Sequence, residues 1–158
     1  MAEYRETLRE ADAIAVEDLV KRTGVFSAEE ILIARSLIEE TRAGAPGADY
    51  RFLFADGEGS LDGYTCYGPI PGTDRRYELY WIAVAPGTRR HGLGRALLAA
   101  TEAQVSALGG THLFAETSTR EDYAPARGFY AANGYTRHAE VPDFHADGDG
   151  LAIYGKRL

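Results

Sequence analysis

The chain has 158 residues, of which 45% are hydrophobic and 26% are charged, and this composition is typical of one soluble globular domain. The formal net charge of −7 argues against a nucleic acid as the main partner and fits, weakly, an amine-bearing substrate. The single cysteine, Cys66, excludes a disulfide framework and a cysteine zinc site. With a polar N-terminus and no long apolar run, the sequence predicts no signal peptide and no membrane span, and we expect a cytoplasmic protein.

The chain begins with a weakly apolar stretch and a first helix. Residues 3–9 have few apolar positions and predict at most a short strand. Asp12 is a typical N-cap residue and predicts a helix over residues 13–21. The inward-facing candidates of this helix are Ile14, Leu19 and Val20.

A second helix follows directly. Ser27 and Glu30 have the spacing of a capping box, in which each side chain pairs with the backbone N–H of the other residue. We therefore expect a helix that continues to about Arg42. Its apolar stripe consists of Ile31, Ala34, Leu37 and Ile38.

Three strands joined by turns are predicted in the middle of the chain. Residues 50–55 and 61–68 are rich in aromatic and apolar side chains, and the Asp56-Gly57 pair between them predicts a hairpin. Residues 69–74 contain two prolines and a glycine, which predict a second turn before a strand over residues 77–84. This part of the chain is therefore expected to form an antiparallel meander.

The strand over residues 77–84 leads into a glycine-bearing loop. Pro86 and Gly87 end the strand, and Gly92 and Gly94 lie where a helix to Leu108 begins. The first turn of a helix has unpaired backbone N–H groups and a partial positive charge, and glycines there let an anion reach the backbone. The loop therefore predicts a phosphate-bearing ligand.

Two common phosphate loops do not match this segment. A nucleoside triphosphate loop needs Gly-Lys followed by Ser or Thr, whereas this chain has Gly94-Arg95-Ala96. A dinucleotide fingerprint needs a small residue where this chain has Leu97. The spacing Arg89-x-x-Gly92-x-Gly94 after a strand resembles instead the acetyl-coenzyme A loop of the GNAT (Gcn5-related) N-acetyltransferases.

The last part of the chain predicts a parallel strand, a short helix and a final pair of strands. The strand over residues 111–117 should pair parallel to residues 77–84 through a right-handed crossover. A helix is expected over residues 124–132, and strands over residues 135–141 and 151–156. The intervening residues 142–150 are expected to form a solvated or substrate-gating loop. Its acidic residues and histidine match no metal-binding spacing.

A second segment, Ala-Arg-Gly-Phe-Tyr-Ala-Ala-Asn-Gly-Tyr at residues 126–135, is similar to a segment of the same family. In that family the tyrosine at the position of Tyr130 lies near the coenzyme sulfur and can protonate it. The family often has an asparagine seven residues earlier, where this chain has Tyr123, so the resemblance does not imply that pantetheine contact here. As an isolated helix aromatic, Tyr130 would simply pack on the sheet.

Glu78 is the candidate base. It shares one face of its strand with Ile82 and Val84, over a length of about 20 Å that suits a pantetheine arm. Histone-acetylating members of the family have a glutamate four residues before the acetyl-contacting position, which is the spacing of Glu78 and Ile82. Many members use water instead, and Glu116 is a second carboxylate, so the identity of the base stays open.

The resemblance covers nearly the whole chain and implies an α/β GNAT fold in a single domain over residues 1–158. It implies a mixed, mostly antiparallel sheet of about six to seven strands with flanking helices and a splayed parallel central pair. The implied reaction is direct transfer of acetyl from acetyl-CoA to an amine of a small molecule or peptide, without a metal ion. The alternative is a non-catalytic module that binds or senses acyl-CoA.

The same resemblance assigns the coenzyme contacts. The backbone of residues 82–84 would hold the pantetheine, and the Ile82 N–H would stabilise the oxyanion. The residues that it implies for coenzyme binding are Ile82, Ala83, Val84, Arg89, Arg90, His91, Gly92, Leu93, Gly94 and Arg95. We expect no nucleic acid and no membrane as partner, and the acceptor and a homodimer stay open.

Overall fold

The structure is a computed structural model that describes residues 4–158, without the side chains of residues 89–91. Its helices are α1 (Asp12–Thr23), α2 (Ala28–Ala43), α3 (Leu93–Ala107) and α4 (Ala124–Ala132). Its strands are β1 (Arg51–Asp56), β2 (Leu61–Pro69), β3 (Arg76–Val84), β4 (His112–Ser118), β5 (Thr136–Ala146) and β6 (Asp149–Arg157). Short 3-10 helices cover Pro86–His91 and Glu121–Tyr123.

The strands form a six-stranded sheet in the order β1-β2-β3-β4-β6-β5. The pairs β1–β2, β4–β6 and β5–β6 are antiparallel, whereas β3 and β4 are parallel. The parallel register runs from Arg76↔His112 to Leu79↔Ala115, and both strands continue beyond it. The predicted α/β fold, with a mixed sheet and a parallel central pair, is confirmed.

The chain divides into two compact units. One comprises the residues up to Gly68 together with Trp81–Thr101, and the other comprises Pro69–Tyr80 together with Glu102–Leu158. The most deeply buried side chains of the first unit include Val16, Leu19, Ile38, Phe54, Tyr64, Leu97 and Leu98. Those of the second unit include Val105, Leu113, Ala115, Tyr135 and Tyr154. The expectation of a single domain stays a prediction.

The start of the chain differs from its prediction. The strand expected over residues 3–9 is reduced to an isolated bridge between Arg5 and Phe54, and residue 3 lies outside the described residues. Asp12 is not an N-cap, since α1 begins at Asp12 after Ala11. Its carboxylate instead accepts hydrogen bonds from the Arg5 guanidinium at 2.8 Å and the Arg9 N–H at 2.6 Å. The charge-assisted hydrogen bonds from Arg5 engage both oxygens of this carboxylate, which does not cap the helix.

The two early helices follow the predicted pattern in most positions. The capping box of Ser27 and Glu30 is confirmed, with both reciprocal hydrogen bonds present. Ile14 is 64% exposed, so its predicted inward orientation is wrong. The reason is geometric, because the buried positions recur every three or four residues, and Ile14 lies two residues before the buried Val16, about 200° around the helix. The buried face of α1 consists of Ala13, Val16, Leu19 and Val20.

The prediction of a loop over residues 142–150 is wrong, because β5 and β6 form a hairpin through this segment. Pro142 is tolerated because β5 lies at the edge of the sheet. The register shifts between Val141 and Ala146, as in a bulge. Gly148, with φ 78°, makes the turn, and its N–H donates to Asp143 Oδ1 at 2.8 Å.

Candidate active site

The segment between β3 and α3 begins with a 3-10 helix, whereas the sequence predicts a simple glycine-bearing loop. Pro86 occupies its first turn, where the fixed φ of proline is suitable and no N–H is needed. Gly92 then has φ 72°, and among the described atoms none beyond its chain neighbours lies within 4 Å of the place that a Cβ would occupy. Glycine is favoured here because the backbone is left-handed.

The helix α3 begins directly after Gly92. The first hydrogen bond of the helix joins the Ala96 N–H to the Gly92 carbonyl, at 3.0 Å. The N–H groups of residues 93–95 come before this bond and have no acceptor within the helix. The partial positive charge of the helix N-terminus adds to these donors. This backbone arrangement is suited to a phosphate group.

Packing within the first unit holds α3 against the neighbouring strands. A Cβ at Gly63 would lie 2.8 Å from Leu97 Cδ1 and 3.1 Å from the Ala83 carbonyl oxygen, so only glycine allows this close approach. The hydroxyls of Thr65 and Thr101 are also hydrogen-bonded at 2.8 Å in the core. Sequence reasoning missed Gly63 and Thr65, although a glycine inside a strand is a known signal of close backbone approach.

The C-terminal half of β3 contains the residues expected to contact pantetheine. Ala83 is 5% exposed, whereas Ile82 and Val84 are half-buried. Because side chains alternate along a strand, Ile82 and Val84 share the face opposite to Ala83. After β3, the Ala85 N–H donates to the Asp62 carbonyl at 2.7 Å, which anchors the start of the following 3-10 helix.

Glu78, on the N-terminal half of β3, is half-buried and lies opposite Phe114 in the parallel register. Glu116, an exposed residue on β4, lies close enough to this carboxyl group to interact with it. Burial, followed by the charge of Glu116, raises the pKa of Glu78 to about 7. The structure therefore brings together the two carboxylates that the sequence named as separate candidates. A carboxylate that titrates near neutral pH is suited to general base catalysis.

Tyr130 lies on α4 in the second unit and is 6% exposed. Its ring contacts those of Phe129, Tyr135 and Tyr154, with centroid distances of 5.6, 5.7 and 5.8 Å. Burial raises the pKa of the Tyr130 phenol. The hydroxyl is therefore protonated at neutral pH, as a proton donor must be.

The start of α4 is tied to the end of β4. Arg127 donates from Nη1 to the carbonyls of Ser118 and Arg120, at 2.8 and 2.7 Å. Tyr123 occupies the position where the family often has asparagine, and the Arg120 guanidinium lies 5.5 Å from the centre of its ring. Sequence reasoning treated Arg127 only as part of the tyrosine segment, because carbonyl partners nine and seven residues away leave no local pattern.

Other candidate chemistry is limited in the described part of the chain. Among the described side chains, which exclude those of residues 1–3 and 89–91, no group of three or more His, Cys, Asp or Glu is arranged to hold a metal ion. Cys66 is buried, and burial raises the pKa of its thiol, which disfavours a cysteine nucleophile. No described helix combines the length and apolar character needed to span a bilayer.

Comparison with known proteins places these features in context. Residues 15–135 match the sequence model of the Acetyltransferase (GNAT) family. The fold resembles that of a Desulfovibrio desulfuricans protein assigned to the GNAT acetyltransferases, with 42% identity, a TM-score of 0.92 and coverage of 98% of this chain and 97% of that one. A search of curated protein sequences returned no significant match.

Two further solved structures extend the comparison. Nourseothricin acetyltransferase is 29% identical, with a TM-score of 0.62 and coverage of 69% of this chain and 65% of that one. PaiA N-acetyltransferase from Thermoplasma acidophilum, solved in complex with coenzyme A, is 17% identical, with a TM-score of 0.71 and coverage of 99% of this chain and 100% of that one. At this lower identity the second likeness is one of fold.

Proposed function

Because this chain belongs to the GNAT family of acetyltransferases, we propose that it transfers acetyl from acetyl-CoA directly to the amine of a small molecule or peptide. The observation that carries this proposal lies on one strand. Glu78, with a pKa of about 7, precedes Ile82 by four residues on β3, and β3 leads towards the N-terminus of α3. A base, an acetyl-binding backbone and a phosphate-binding helix end are therefore arranged in sequence along a continuous segment.

In this proposal the coenzyme binds along that segment. The backbone N–H groups at the start of α3 hold the pyrophosphate, because they are unpaired within the helix and carry partial positive charge. The coenzyme-binding residues are Ile82, Ala83, Val84, Arg89, Arg90, His91, Gly92, Leu93, Gly94 and Arg95. The backbone of residues 82–84 pairs with the amides of the pantetheine arm.

The amine must lose a proton before it attacks. An alkyl amine has a pKa of ~10 and is almost fully protonated at neutral pH. Glu78 takes this proton, directly or through a water, because its own pKa lies close to the working pH. The amine nitrogen then bonds to the acetyl carbonyl carbon, and the Ile82 N–H stabilises the oxyanion that forms.

The tetrahedral intermediate collapses by cleavage of its carbon–sulfur bond. The electron pair leaves with sulfur, and Tyr130 donates its proton to that atom. The nitrogen releases its remaining extra proton as the amide forms, and through solvent this proton restores the Tyr130 phenol. An ordinary phenol has a pKa of ~10 and a thiol one of ~8.5, a gap of about 2 kcal/mol. Burial raises the pKa of Tyr130 further and makes it a weaker acid, so the transfer depends on the charge that develops on sulfur as the bond breaks.

The experiment that tests the proposal measures coenzyme A release with a panel of amines. Aminoglycosides, polyamines, amino acids and peptides are incubated with acetyl-CoA and the protein, and the products are identified by mass spectrometry. Release that depends on one class of amine, with acetyl found on its nitrogen, is the expected result. Tight binding of acetyl-CoA without release across the panel would instead favour the non-catalytic acyl-CoA module.

A further inference from the structure

Three side chains near the C-terminal end of α4 form a charged cluster, and the proposed reaction gives them no role. Tyr135 donates from its hydroxyl to Glu102 Oε2 at 2.7 Å. Lys156 Nζ donates to both oxygens of the same carboxylate, at 3.1 and 3.2 Å, and lies 5.6 Å from the centre of the Tyr135 ring. We call these three residues, Glu102, Tyr135 and Lys156, the Glu102 cluster.

The Glu102 cluster is shielded from water. The side chains of Glu102 and Lys156 are 17% and 30% exposed, and Tyr135 is 4% exposed. Exposed ion pairs contribute little because solvent screens them and their side chains move freely. A partly buried carboxylate with three donated hydrogen bonds is held in one geometry, since losing any partner leaves polar atoms unpaired.

Two routes connect the Glu102 cluster with Tyr130. The Tyr135 N–H donates to the Tyr130 carbonyl at 3.0 Å, and the two rings meet edge to face with centroids 5.7 Å apart. Lys156 Nζ also donates to the Asn133 carbonyl at 3.1 Å, while Asn133 Nδ2 donates to the Phe129 carbonyl at 2.8 Å. The cluster therefore holds both the C-terminal end of α4 and one side of the Tyr130 ring.

The position of the Tyr130 hydroxyl is sensitive to these contacts because it lies at the far end of a long side chain. A tilt of the ring by roughly 10° moves the hydroxyl by about 1 Å, and a misplacement of that size can slow a reaction step by up to about 100-fold. Nothing in the Glu102 cluster needs to reach the coenzyme to have this effect.

We propose that Glu102, Tyr135 and Lys156 are positioning residues, which hold the Tyr130 phenol where it protonates the departing sulfur. This inference rests on the proposed function, since it requires Tyr130 to act on the coenzyme. The three residues act through the backbone and the ring of Tyr130. They do not exchange protons with the substrate.

The test combines single variants with a Tyr130→Phe background. Tyr135→Phe removes one oxygen and keeps the ring, and Glu102→Gln removes the charge and keeps the shape. We expect each to lower kcat about tenfold and to leave the KM for acetyl-CoA within about twofold, because positioning acts in the transition state. In the Tyr130→Phe background, the same substitutions should cause no further loss of kcat.

The matched control is Glu140→Gln, which breaks an exposed ion pair with Arg137 of 3.0 Å in the same unit and should leave kcat unchanged. An equal loss of kcat in the Tyr130→Phe background would assign the Glu102 cluster to folding alone and overturn the inference. If Glu102→Gln does not fold, Tyr135→Phe decides, and wild-type kcat in that variant overturns the inference.

Different experimental outcomes would contradict the proposed role of Tyr130 and the positioning role of the Glu102 cluster. Full activity of Tyr130→Phe by itself would remove Tyr130 from the reaction, and the positioning role would fall with it. A slow Tyr130→Phe enzyme together with fully active cluster variants would overturn the positioning role only.

Discussion

Glu78 and Glu116 lie on neighbouring parallel strands, and their carboxyl groups are close enough to interact. Glu78 lies opposite Phe114, and Glu116 is two residues further along β4, so both carboxylates lie on the same face of the sheet. Burial of Glu78 is the main cause of its raised pKa, and the charge of Glu116 is the second. The arrangement creates a carboxylate that changes charge near neutral pH.

The pH dependence of activity is the first prediction. In the wild-type protein, kcat/KM should rise with pH along an acidic limb centred near pH 7, because Glu78 must be deprotonated to act as base. Glu78→Gln cannot accept a proton, so its kcat/KM should fall by about 10²–10⁴ and the limb should disappear. Higher pH should partly restore the variant, since more amine is then neutral. A wild-type rate with an unchanged limb would assign the proton to water or to another group.

Glu116→Gln separates the two carboxylates. The substitution removes the like charge, and its amide N–H can donate to the Glu78 carboxylate, so both effects lower the pKa of Glu78. The acidic limb of kcat/KM should therefore move to lower pH and remain present, although burial still keeps the Glu78 pKa above its ordinary value of 4.5. Complete loss of the limb in this variant would identify Glu116, and not Glu78, as the base.

The same carboxyl group makes folding stability depend on pH. Its pKa is about 7 in the folded chain, whereas an ordinary glutamate has a pKa of 4.5, so between these pH values the folded state binds more protons than the unfolded state. The free energy of unfolding should therefore fall as pH rises from 4.5 through 7. With a discount for solvent screening, the loss is about 1–2 kcal/mol.

Thermal unfolding of the wild type and Glu78→Gln at pH 5 and pH 8 measures this effect, on the order of a few degrees in Tm. The glutamine variant lacks the ionisation, so its Tm should decrease less between the two pH values. An equal decrease in both proteins would show that Glu78 does not contribute.

The coenzyme loop is tested by Gly92→Glu. The new side chain would place negative charge at the helix N-terminus, where the pyrophosphate should bind, and calorimetry should show at least about a tenfold loss of acetyl-CoA affinity. Gly148→Glu is the matched control, because both glycines have left-handed backbones (φ 72° and 78°) and open space around the Cβ position. The strain and the added charge are thus similar in the two variants. Equal affinity in two folded variants would contradict the proposed phosphate site.

Tyr130→Phe tests the proton donor. The ring keeps its packing against Tyr135 and Tyr154, while the proposed proton donor to sulfur is lost. We expect kcat to fall by about 10²–10⁴ with acetyl-CoA affinity nearly unchanged. Stopped-flow measurement of coenzyme A release and calorimetric binding distinguish these quantities. Full turnover would leave Tyr130 as a packing residue.

Patterns confined to a few neighbouring residues determined much of the fold. The capping box of Ser27 and Glu30 forms as its spacing predicts, because both partners lie within one helical turn. The strand β3 and the helix α3 could also be predicted from the sequence, because period-two alternation, a proline that ends the strand and glycines before helix-forming residues are all local signals. Each of these signals depends on backbone geometry over fewer than about ten residues.

The tertiary structure decided which distant side chains meet. Arg5 reaches Asp12 and withdraws it from capping, and the position of β5 at the sheet edge lets Pro142 lie within a strand. The contacts of Glu78 with Glu116 and of Tyr135 with Glu102 join residues 38 and 33 positions apart in the chain. Only the packing of a complete unit sets such distances and removes water from around the charges. Local sequence specifies which residues can carry chemistry, whereas their pKa values and partners arise from burial.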